Sequence, residues 1–235
     1  MILLLHGFTG GSEDWWACCP RLKGRALAID LPGHGADSTT VRPFQDSIGD
    51  ILGALPDSVD EVIGYSLGGR FALGLMALDP DRFRRATIIS AHPGLEDASQ
   101  RADRLADDRA WIRRLLDDGI DAFVDDWESQ PLFATQAGLP STVLKRQRRR
   151  RLGQPPTGLA ASLEQHGLAR MPSLWKPLAA FTGELTWIVG AADTRFLGIA
   201  REVVRRRPAT RLHVLPGVGH NPLLECPEIL SDLLF

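Results

Sequence analysis

Six short apolar runs recur along the chain, and most are followed by turn residues and then by helical spacing of apolar positions. They cover residues 2–5, 25–30, 61–65, 86–90, 185–190 and 211–215. The runs are apolar throughout rather than alternating with polar residues, which is typical of strands covered by helices on both faces. The pattern predicts a doubly wound α/β protein with a mainly parallel sheet of about six strands.

The regular succession of strands and helices stops between the fourth and fifth runs. Residues 94–170 are heavily charged and contain no convincing strand, so they predict several helices. Breaks are expected at Gly119, Pro131, Pro140, Pro155 and Pro156. We expect this segment to form a helical cap over the carboxyl ends of the strands, inserted into an α/β core of residues 1–93 and 171–235.

Charge is segregated within the predicted cap. Residues 96–128 carry eleven acidic side chains and five arginines, whereas a basic run follows at Lys145, Arg146 and residues 148–151. Pairing of the basic run with the acidic helices, or its solvation beside them, is the simpler interpretation. RNA binding is the alternative. The run lacks interleaved aromatic residues and a surrounding basic domain, so we expect no nucleic-acid partner.

Composition narrows the class of protein further. The chain has 235 residues, a formal net charge of −2 and 44% hydrophobic residues, which predicts one folding unit without a global field for polyanions. Its three cysteines, Cys18, Cys19 and Cys226, are odd in number and suggest a reduced, cytoplasmic chain. The opening MILLL is too short for a signal sequence or a membrane span, so we expect no membrane insertion.

The segment GYSLGGR, residues 64–70, places Ser66 between glycines two positions away on each side. A predicted strand precedes it and a predicted helix follows, which is the context of a nucleophile elbow. Small flanking residues allow the strained turn that exposes such a hydroxyl. Ser66 is therefore the candidate catalytic serine, and the amide of Leu67 is a candidate oxyanion-hole donor.

The partners of such a serine follow in the order serine, acid, histidine. Asp193 comes after the fifth apolar run and His220 after the sixth, at the predicted carboxyl ends of strands. The segment HGFTG, residues 6–10, follows the first run and offers the amide of Phe8 as the second oxyanion-hole donor. We predict a triad in which His220 takes the proton of Ser66 and Asp193 orients the imidazole.

Other histidines fit the catalytic role less well. His34 follows the second run as a turn residue, His213 lies inside a predicted strand, and His92 opens the predicted cap where it can line the cavity. No CxxC, HExxH or carboxylate cluster at metal spacing is present. We therefore predict no metal and no cofactor.

Seven motifs together resemble the α/β-hydrolase superfamily and, more narrowly, the 2-succinyl-6-hydroxy-2,4-cyclohexadiene-1-carboxylate synthases of menaquinone biosynthesis. They are HGFTG (6–10), DLPGHG (30–35), GYSLGGR (64–70), AHPGL (91–95), QRADR (100–104), DWESQP (126–131) and GLAASL (158–163). The resemblance implies a lyase that eliminates pyruvate from 2-succinyl-5-enolpyruvyl-6-hydroxy-3-cyclohexene-1-carboxylate, with the triad serine acting as a base and no acyl-enzyme.

The same resemblance assigns roles to several arginines. It implies that Arg70, Arg104 and Arg151 bind the small polycarboxylate substrate, although four neighbouring arginines leave the alignment of Arg151 open. Arg195 stands where the family carries a lysine. Three guanidinium groups suit a tricarboxylate, because their planar forks bind carboxylates through paired hydrogen bonds. A surface ion pair is the alternative for each.

Two aromatic residues and one acidic residue complete the comparison with the family. Trp127 matches an aromatic residue of the pocket, and Tyr65 is expected to flank the serine together with Phe8. Glu128 stands where tyrosine is common, so either it turns away from the substrate or the cavity differs.

Two other functions stay open from the sequence. A carboxylesterase or related acyl hydrolase would use Ser66 as a nucleophile, and a binding protein of hydrolase fold would sense a small anion without catalysis. An intact triad argues against the binding protein. The first apolar run begins directly after Met1, so a reduced sheet is expected, and oligomeric state is not indicated.

Overall fold

The computed structural model describes residues 1–35 and 41–234; residues 36–40 and 235 of the predicted core lie outside this description. The strands are β1 (Ile2–Leu5), β2 (Ala26–Ile29), β3 (Glu61–Tyr65), β4 (Arg85–Ile89), β5 (Glu184–Gly190) and β6 (Arg211–Leu215). They form one six-stranded sheet in the order β2-β1-β3-β4-β5-β6, with parallel pairing throughout. The predicted sheet is therefore confirmed.

Eleven α-helices lie within the described ranges. They are α1 (Glu13–Cys18), α2 (Phe44–Ala54), α3 (Leu67–Leu78), α4 (Ala98–Asp117), α5 (Gly119–Glu128), α6 (Ser141–Leu152), α7 (Pro156–His166), α8 (Trp175–Ala180), α9 (Thr194–Arg206), α10 (Pro222–Glu225) and α11 (Pro227–Leu233). Two 3-10 segments, Pro20–Leu22 and Pro131–Gly138, complete the helical elements. No helix in these ranges is both long and apolar enough to cross a membrane.

Both faces of the sheet are covered, as the continuous apolar runs predict. Successive side chains of a strand point to opposite faces. In β1, Leu3 and Leu5 belong to one buried cluster, whereas Leu4 belongs to a second cluster on the other face. Val62 and Ile63 of β3 divide in the same way. Burial on both faces explains why these strands have no polar alternation.

The order of the strands places a crevice at the end of β1. The chain steps from β1 outward to β2 and then returns to the other side of β1 for β3. In the register of the sheet, Leu5 of β1 pairs with Ile29 on one side and Gly64 on the other. The loops that follow β1 and β3 therefore leave the sheet side by side, where doubly wound sheets bind ligands.

Helices α4 to α7 are inserted between β4 and β5 and have an apolar cluster of their own. Leu115 of α4, Phe123 and Val124 of α5 and Leu159 and Leu163 of α7 form its buried centre. The breaks between these helices coincide with the expected glycine and prolines, since α5 begins at Gly119 and α7 at Pro156. Asp97 caps α4 by accepting a hydrogen bond from the amide of Gln100 at 2.8 Å.

Candidate active site

Ser66 lies in a strained turn between β3 and α3. Its φ of 51° and ψ of −106° fall in a region that residues with a side chain rarely adopt. A Cβ atom at Gly64 would lie 2.3 Å from the carbonyl oxygen of Gly68, and one at Gly68 would lie 2.1 Å from that of Leu5. The glycines on either side of Ser66 are therefore required by close backbone contacts.

Ser66, His220 and Asp193 form a continuous hydrogen-bonded chain. The Nε2 atom of His220 lies 3.1 Å from Oγ of Ser66, and its Nδ1 atom lies 2.7 Å from Oδ2 of Asp193. His220 and Asp193 are both buried. The carboxylate can only accept, so Nδ1 carries a proton and Nε2 is left to accept the proton of the serine hydroxyl. The geometry suits proton removal from Ser66.

The acid and the histidine are held by the elements that follow β5 and β6. Asp193 caps α9 through Oδ1, which accepts a hydrogen bond from the amide of Phe196 at 3.3 Å. Glu225 of α10 accepts hydrogen bonds from the amides of Gly219 at 2.6 Å and Asn221 at 3.1 Å, on both sides of His220. Both contacts limit the movement of the catalytic loops.

Two buried histidines fix the loop that carries Phe8. The Nε2 atom of His6 accepts a hydrogen bond from the amide of Leu31 at 2.9 Å, and Nε2 of His34 accepts one from the amide of Thr9 at 3.3 Å. Burial lowers the pKa of His34 well below its usual value, and that of His6 is also lowered. Both rings therefore stay neutral and act as structural links rather than as catalytic bases.

The two residues that carry the predicted oxyanion-hole amides line the cavity from adjacent loops. Phe8 follows β1 and Leu67 begins α3, and neither amide donates a hydrogen bond to another group in the described part of the chain. Gln154 supports the first loop, because its side chain donates to the carbonyl of Gly10 at 3.0 Å and accepts from the amide of Gly35 at 2.9 Å. Free N–H groups in this position can bind a developing oxyanion.

One cavity of about 890 Å³ brings all the predicted site residues together. Its lining includes Phe8, Tyr65, Ser66, Leu67, Arg70, Arg104, Trp127, Arg151, Asp193, Arg195 and His220. Apart from histidines, the charged side chains among its described lining residues are six arginines and three aspartates. The lining itself therefore has three more positive than negative charges, and Asp108 and Glu128, which lie outside the lining, pair with two of these arginines.

Arg70 is the cationic side chain closest in sequence to the serine. Its Nη1 donates to the backbone carbonyl of His166 at 2.5 Å, and no carboxylate in the described residues lies within 4.0 Å of its guanidinium. Burial and the positive charge of Arg104 lower the pKa of Arg70 to about 9. The group stays protonated at neutral pH but its charge is not neutralised, which favours binding of an anion.

Arg104 reaches the cavity from α4 while one end of its guanidinium is fixed. Its Nε donates to Oδ1 of the buried Asp108 at 2.8 Å. Burial raises the pKa of Asp108, while the charge of Arg104 opposes this shift. The Oδ2 atom of Asp108 has no hydrogen-bond partner among the described groups. Asp108 orients Arg104 and leaves its two terminal nitrogens free of described protein partners.

Arg151 is buried and paired rather than free. Its Nη1 donates to Oε1 of Glu128 at 2.9 Å, and its guanidinium lies 5.1 Å from the ring centre of Phe133. Glu128 also accepts from Nη1 of Arg148 at 2.9 Å, and it does not line the cavity. Of the two alternatives that the sequence left open, the structure shows the first: Glu128 lies outside the cavity lining and pairs with two arginines of α6.

Aromatic rings form one wall beside the oxyanion loop. Trp127 stacks on Phe123 with ring centres 5.4 Å apart and meets Phe8 edge to face at 5.2 Å. The buried ring of Tyr65 lies 5.6 Å from the ring of His220. Arg195 of α9 also lines the cavity and forms no ion pair with the described residues. Trp127, Tyr65 and Arg195 thus line the same cavity as the triad residues.

Four polar residues that contact the site were not identified from the sequence. They are Asp108, Gln154, His166 and Glu225, which hold Arg104, the oxyanion loop, Arg70 and the loop of His220 respectively. Gln154 and His166 act on partners distant in sequence and Glu225 acts on backbone amides, so no local spacing could identify these three. Asp108 lies four residues after Arg104 in α4, and this helical spacing of opposite charges was the available signal. Metal-ligand clusters of three or more side chains are absent from the described residues.

The whole chain is similar to proteins of one named family. The family model described as "Alpha/beta hydrolase family" matches residues 2–233. An Escherichia coli O1:K1 protein named 2-succinyl-6-hydroxy-2,4-cyclohexadiene-1-carboxylate synthase is 32% identical over 234 residues, covering 96% of this chain and 88% of that protein. A Bacillus subtilis (strain 168) protein, whose name carries the same activity with a provisional qualifier, is 32% identical over 242 residues and 99% of this chain.

A solved structure agrees with the sequence relatives. The structure of MenH from S. aureus superposes with a TM-score of 0.92 at 27% identity, covering 99% of this chain and 91% of that one. The fold, the order of the site loops and these similarities lead to one assignment. The chain belongs to the alpha/beta hydrolase family and, within it, to the group of proteins named 2-succinyl-6-hydroxy-2,4-cyclohexadiene-1-carboxylate synthase.

Proposed function

We propose that this protein is a carbon–oxygen lyase of menaquinone biosynthesis. It eliminates pyruvate from 2-succinyl-5-enolpyruvyl-6-hydroxy-3-cyclohexene-1-carboxylate and forms 2-succinyl-6-hydroxy-2,4-cyclohexadiene-1-carboxylate. One observation carries the proposal from the structure itself: a triad faces a cavity whose described charged lining leaves three positive charges in excess. A lining rich in arginine suits a substrate that carries several carboxylates.

The reaction needs a base and a site for negative charge. Removal of the proton from ring carbon 2, next to the succinyl ketone, sends its electron pair toward the ring and the ketone oxygen. The double bond then moves, the bond from carbon 5 to oxygen breaks, and enolpyruvate leaves and becomes pyruvate. A base near the ring and hydrogen-bond donors near the developing enolate are the groups that lower this barrier.

The triad supplies the base in this scheme. His220 takes the hydroxyl proton of Ser66 across 3.1 Å, and Ser66 in turn takes the proton of the ring carbon. Asp193 stabilises the resulting imidazolium across 2.7 Å. The proton on His220 is then delivered to the departing oxygen. The amides of Phe8 and Leu67 receive the charge on the enolate oxygen.

The arginines orient the substrate in the proposed complex. Arg70 and Arg104 lie on α3 and α4 and offer guanidinium nitrogens that no described protein group occupies. Arg151 takes part through its bridge with Glu128, and Arg195 adds charge from α9. Residues 94–170 act as a cap that carries two of these arginines, and the reaction takes place in the cytoplasm. A neutral ester would leave the charges of Arg70 and Arg195, which form no ion pair with the described residues, without partners.

A variant of Arg70 tests whether the charged cavity serves this reaction. Pyruvate release from the enolpyruvyl substrate is followed by coupled NADH oxidation. Arg70→Gln is expected to lower kcat/KM about 100-fold, since a charge-assisted contact with a carboxylate is lost. Arg21→Gln is the matched control, because Arg21 is exposed and pairs only with Asp232 in the described chain. Equal activity of both variants would contradict the assigned role of Arg70.

An acyl hydrolase is the alternative, and the short Ser66 to His220 contact is the observation that favours it. That contact suits nucleophilic attack as well as proton removal. A nucleophilic serine would give a burst of one product equivalent with an activated ester and a mass increase from an acyl-enzyme. We expect neither with the enolpyruvyl substrate. A burst followed by rapid ester turnover, with no pyruvate release, would replace the proposed function.

A further inference from the structure

His92 lies in a rigid loop that opens into the cavity beside the elbow. The loop leaves β4 through Ser90, whose φ is 46°, and turns again at Gly94, whose φ is 107°. The carbonyl of Pro93 accepts a hydrogen bond from the amide of Leu174 at 2.7 Å, and that of Gly94 accepts one from Nε1 of Trp175 at 3.0 Å. The backbone around His92 is therefore fixed before any ligand binds.

One hydrogen bond fixes the tautomer of His92. The backbone amide of Gly94 points at Nδ1 of the ring at a distance of 3.0 Å. An amide N–H can only donate, so Nδ1 is the acceptor and the proton of the neutral ring is on Nε2. The ring lines the cavity, and Nε2 has no hydrogen-bond partner among the described groups. His92 thus offers one unoccupied N–H donor to the cavity.

The charges around His92 are all positive. Burial comes first, and then the charges of Arg195, Arg70 and Arg104 lower the pKa of His92 to about 4. These arginines lie on α9, α3 and α4 and line the same cavity as the ring. Arginine nitrogens are donors and so is Nε2 of this tautomer, so none of the four groups satisfies another. Asp108 already accepts from Nε of Arg104, and a ligand group rich in acceptors, such as a carboxylate, can bind the donors that remain unoccupied.

We propose that the Nε2–H group of His92 binds a carboxylate of the substrate and acts as a specificity-determining residue. The inference rests on the proposed function, because it assigns a hydrogen-bond partner within the same cavity. His92 differs from the arginines in its contribution: a neutral donor adds direction without further positive charge. The carboxylate between it and the arginines is thereby oriented as well as attracted.

Nuclear magnetic resonance of histidine-labelled protein tests the tautomer without relying on activity. The two-bond proton–nitrogen spectrum of the full chain, with His92 assigned by its loss in His92→Gln, is expected to show a neutral ring protonated at Nε2 from pH 7.5 to 5.5. Saturating tricarballylate is expected to shift the Nε2 resonance. A ring protonated at Nδ1, titration near pH 6.5, or no shift with bound tricarballylate would overturn the proposal.

Kinetics of two substitutions test the contribution to specificity. His92→Phe keeps the ring and removes the donor, so KM is expected to rise about tenfold with kcat within about twofold. His92→Gln places an amide N–H near the position of Nε2. Its KM is therefore expected to rise no more than about threefold above the wild-type value. His213→Phe is the control on β6, outside the cavity lining.

The outcomes separate the two proposals. An unchanged KM in His92→Phe, or a fall in kcat with KM unchanged, would contradict the role of His92 while leaving the lyase intact. A wild-type protein that releases no pyruvate would contradict the proposed function. In that case the resonance experiment with tricarballylate still decides whether His92 binds carboxylates.

Discussion

At the scale of single residues, Glu128 limits how much of the positive charge of Arg151 is available to bind a substrate carboxylate. Its carboxylate accepts from Arg148 and Arg151, both at 2.9 Å, on the side of α6 that meets α5. Arg151 lines the cavity, but part of its charge is offset by this bridge. Glu128 therefore competes with a substrate carboxylate for the same guanidinium.

Replacing Glu128 by glutamine tests this competition. Glu128→Gln removes the negative charge and keeps a side chain of similar size, so KM for the enolpyruvyl substrate is expected to fall about threefold with little change in kcat. Steady-state kinetics at low and moderate salt give the measurement. The matched control is Glu164→Gln, which removes a partner of Arg170 outside the cavity lining.

A rise in KM of Glu128→Gln would contradict the proposed competition between Glu128 and the substrate. It would mean that Glu128 holds Arg151 in its binding position, and that the orientation gained outweighs the charge lost. The sequence shows an acid in this motif but does not predict where its side chain points. Its partners Arg148 and Arg151 are 20 and 23 residues away and meet Glu128 only through helix packing.

At the scale of elements, the elbow depends on backbone contact between β1, β3 and α3. The motif predicted small residues at Gly64 and Gly68 from chain geometry, and the contacts agree, because added Cβ atoms would meet backbone oxygens at 2.3 Å and 2.1 Å. Backbone oxygens cannot rotate away as a flexible side chain can. These two positions are therefore the least tolerant sites of the elbow.

A pair of glycine substitutions tests this difference. Gly68→Ala is expected to lower the free energy of unfolding by about 2–4 kcal/mol, because α3 must move away from β1. Gly49→Ala in α2 is the control: its Cβ meets nothing within 4 Å, so it is expected to raise that free energy by roughly 0.5–1 kcal/mol. Urea denaturation measures both.

Equal effects of the two substitutions would contradict the account of the elbow.

Some helices could not be predicted from the sequence. The six strands and the long helices have clear apolar patterns, but α1, α8 and α10 are six residues long or shorter. Such lengths provide too few positions for a periodicity to be recognised, and these helices form because tertiary contacts stabilise them.

At the scale of the whole molecule, His166 connects the inserted helices to the core. Its Nε2 donates to the carbonyl of Arg42 at 2.9 Å, and its Nδ1 accepts from Oγ of Ser162 at 3.3 Å. Its own carbonyl accepts from Arg70. Burial lowers the pKa of His166 to about 4, with a smaller contribution from the charge of Arg70.

This shift predicts a loss of stability in mild acid. The unfolded chain binds a proton at His166 near pH 6.5, whereas the folded protein binds it only near pH 4. The contribution is therefore complete above pH 6.5 and is lost as the pH falls toward 4, by roughly 3 kcal/mol at most. Burial lowers the pKa values of His6, His34 and His92 as well, which adds in the same direction.

Urea denaturation between pH 7.0 and 4.5 measures this linkage. His166→Gln keeps a donor for the carbonyl of Arg42 and is expected to lose less stability than the wild type over that range, although it starts from a lower value at pH 7.0. Identical slopes in the wild type and the variant would contradict the assignment to His166.

The layered fold and the position of the triad were predictable from the sequence, because both follow general rules of chain geometry. Parallel strands with apolar runs determine the layered fold, and the carboxyl edge then brings Ser66, Asp193 and His220 together. The supporting contacts were not predictable. Gln154 binds Gly10 and Gly35, which are more than 100 residues away in sequence and which only tertiary packing brings near.

The rate of pyruvate release from the enolpyruvyl substrate tests the central claim most directly. The wild-type protein is expected to release one pyruvate for each substrate consumed, and Ser66→Ala to lower kcat about 10²- to 10⁴-fold through loss of the base. If wild-type protein releases no pyruvate and instead hydrolyses short acyl esters rapidly, the lyase account is contradicted and the serine is a nucleophile.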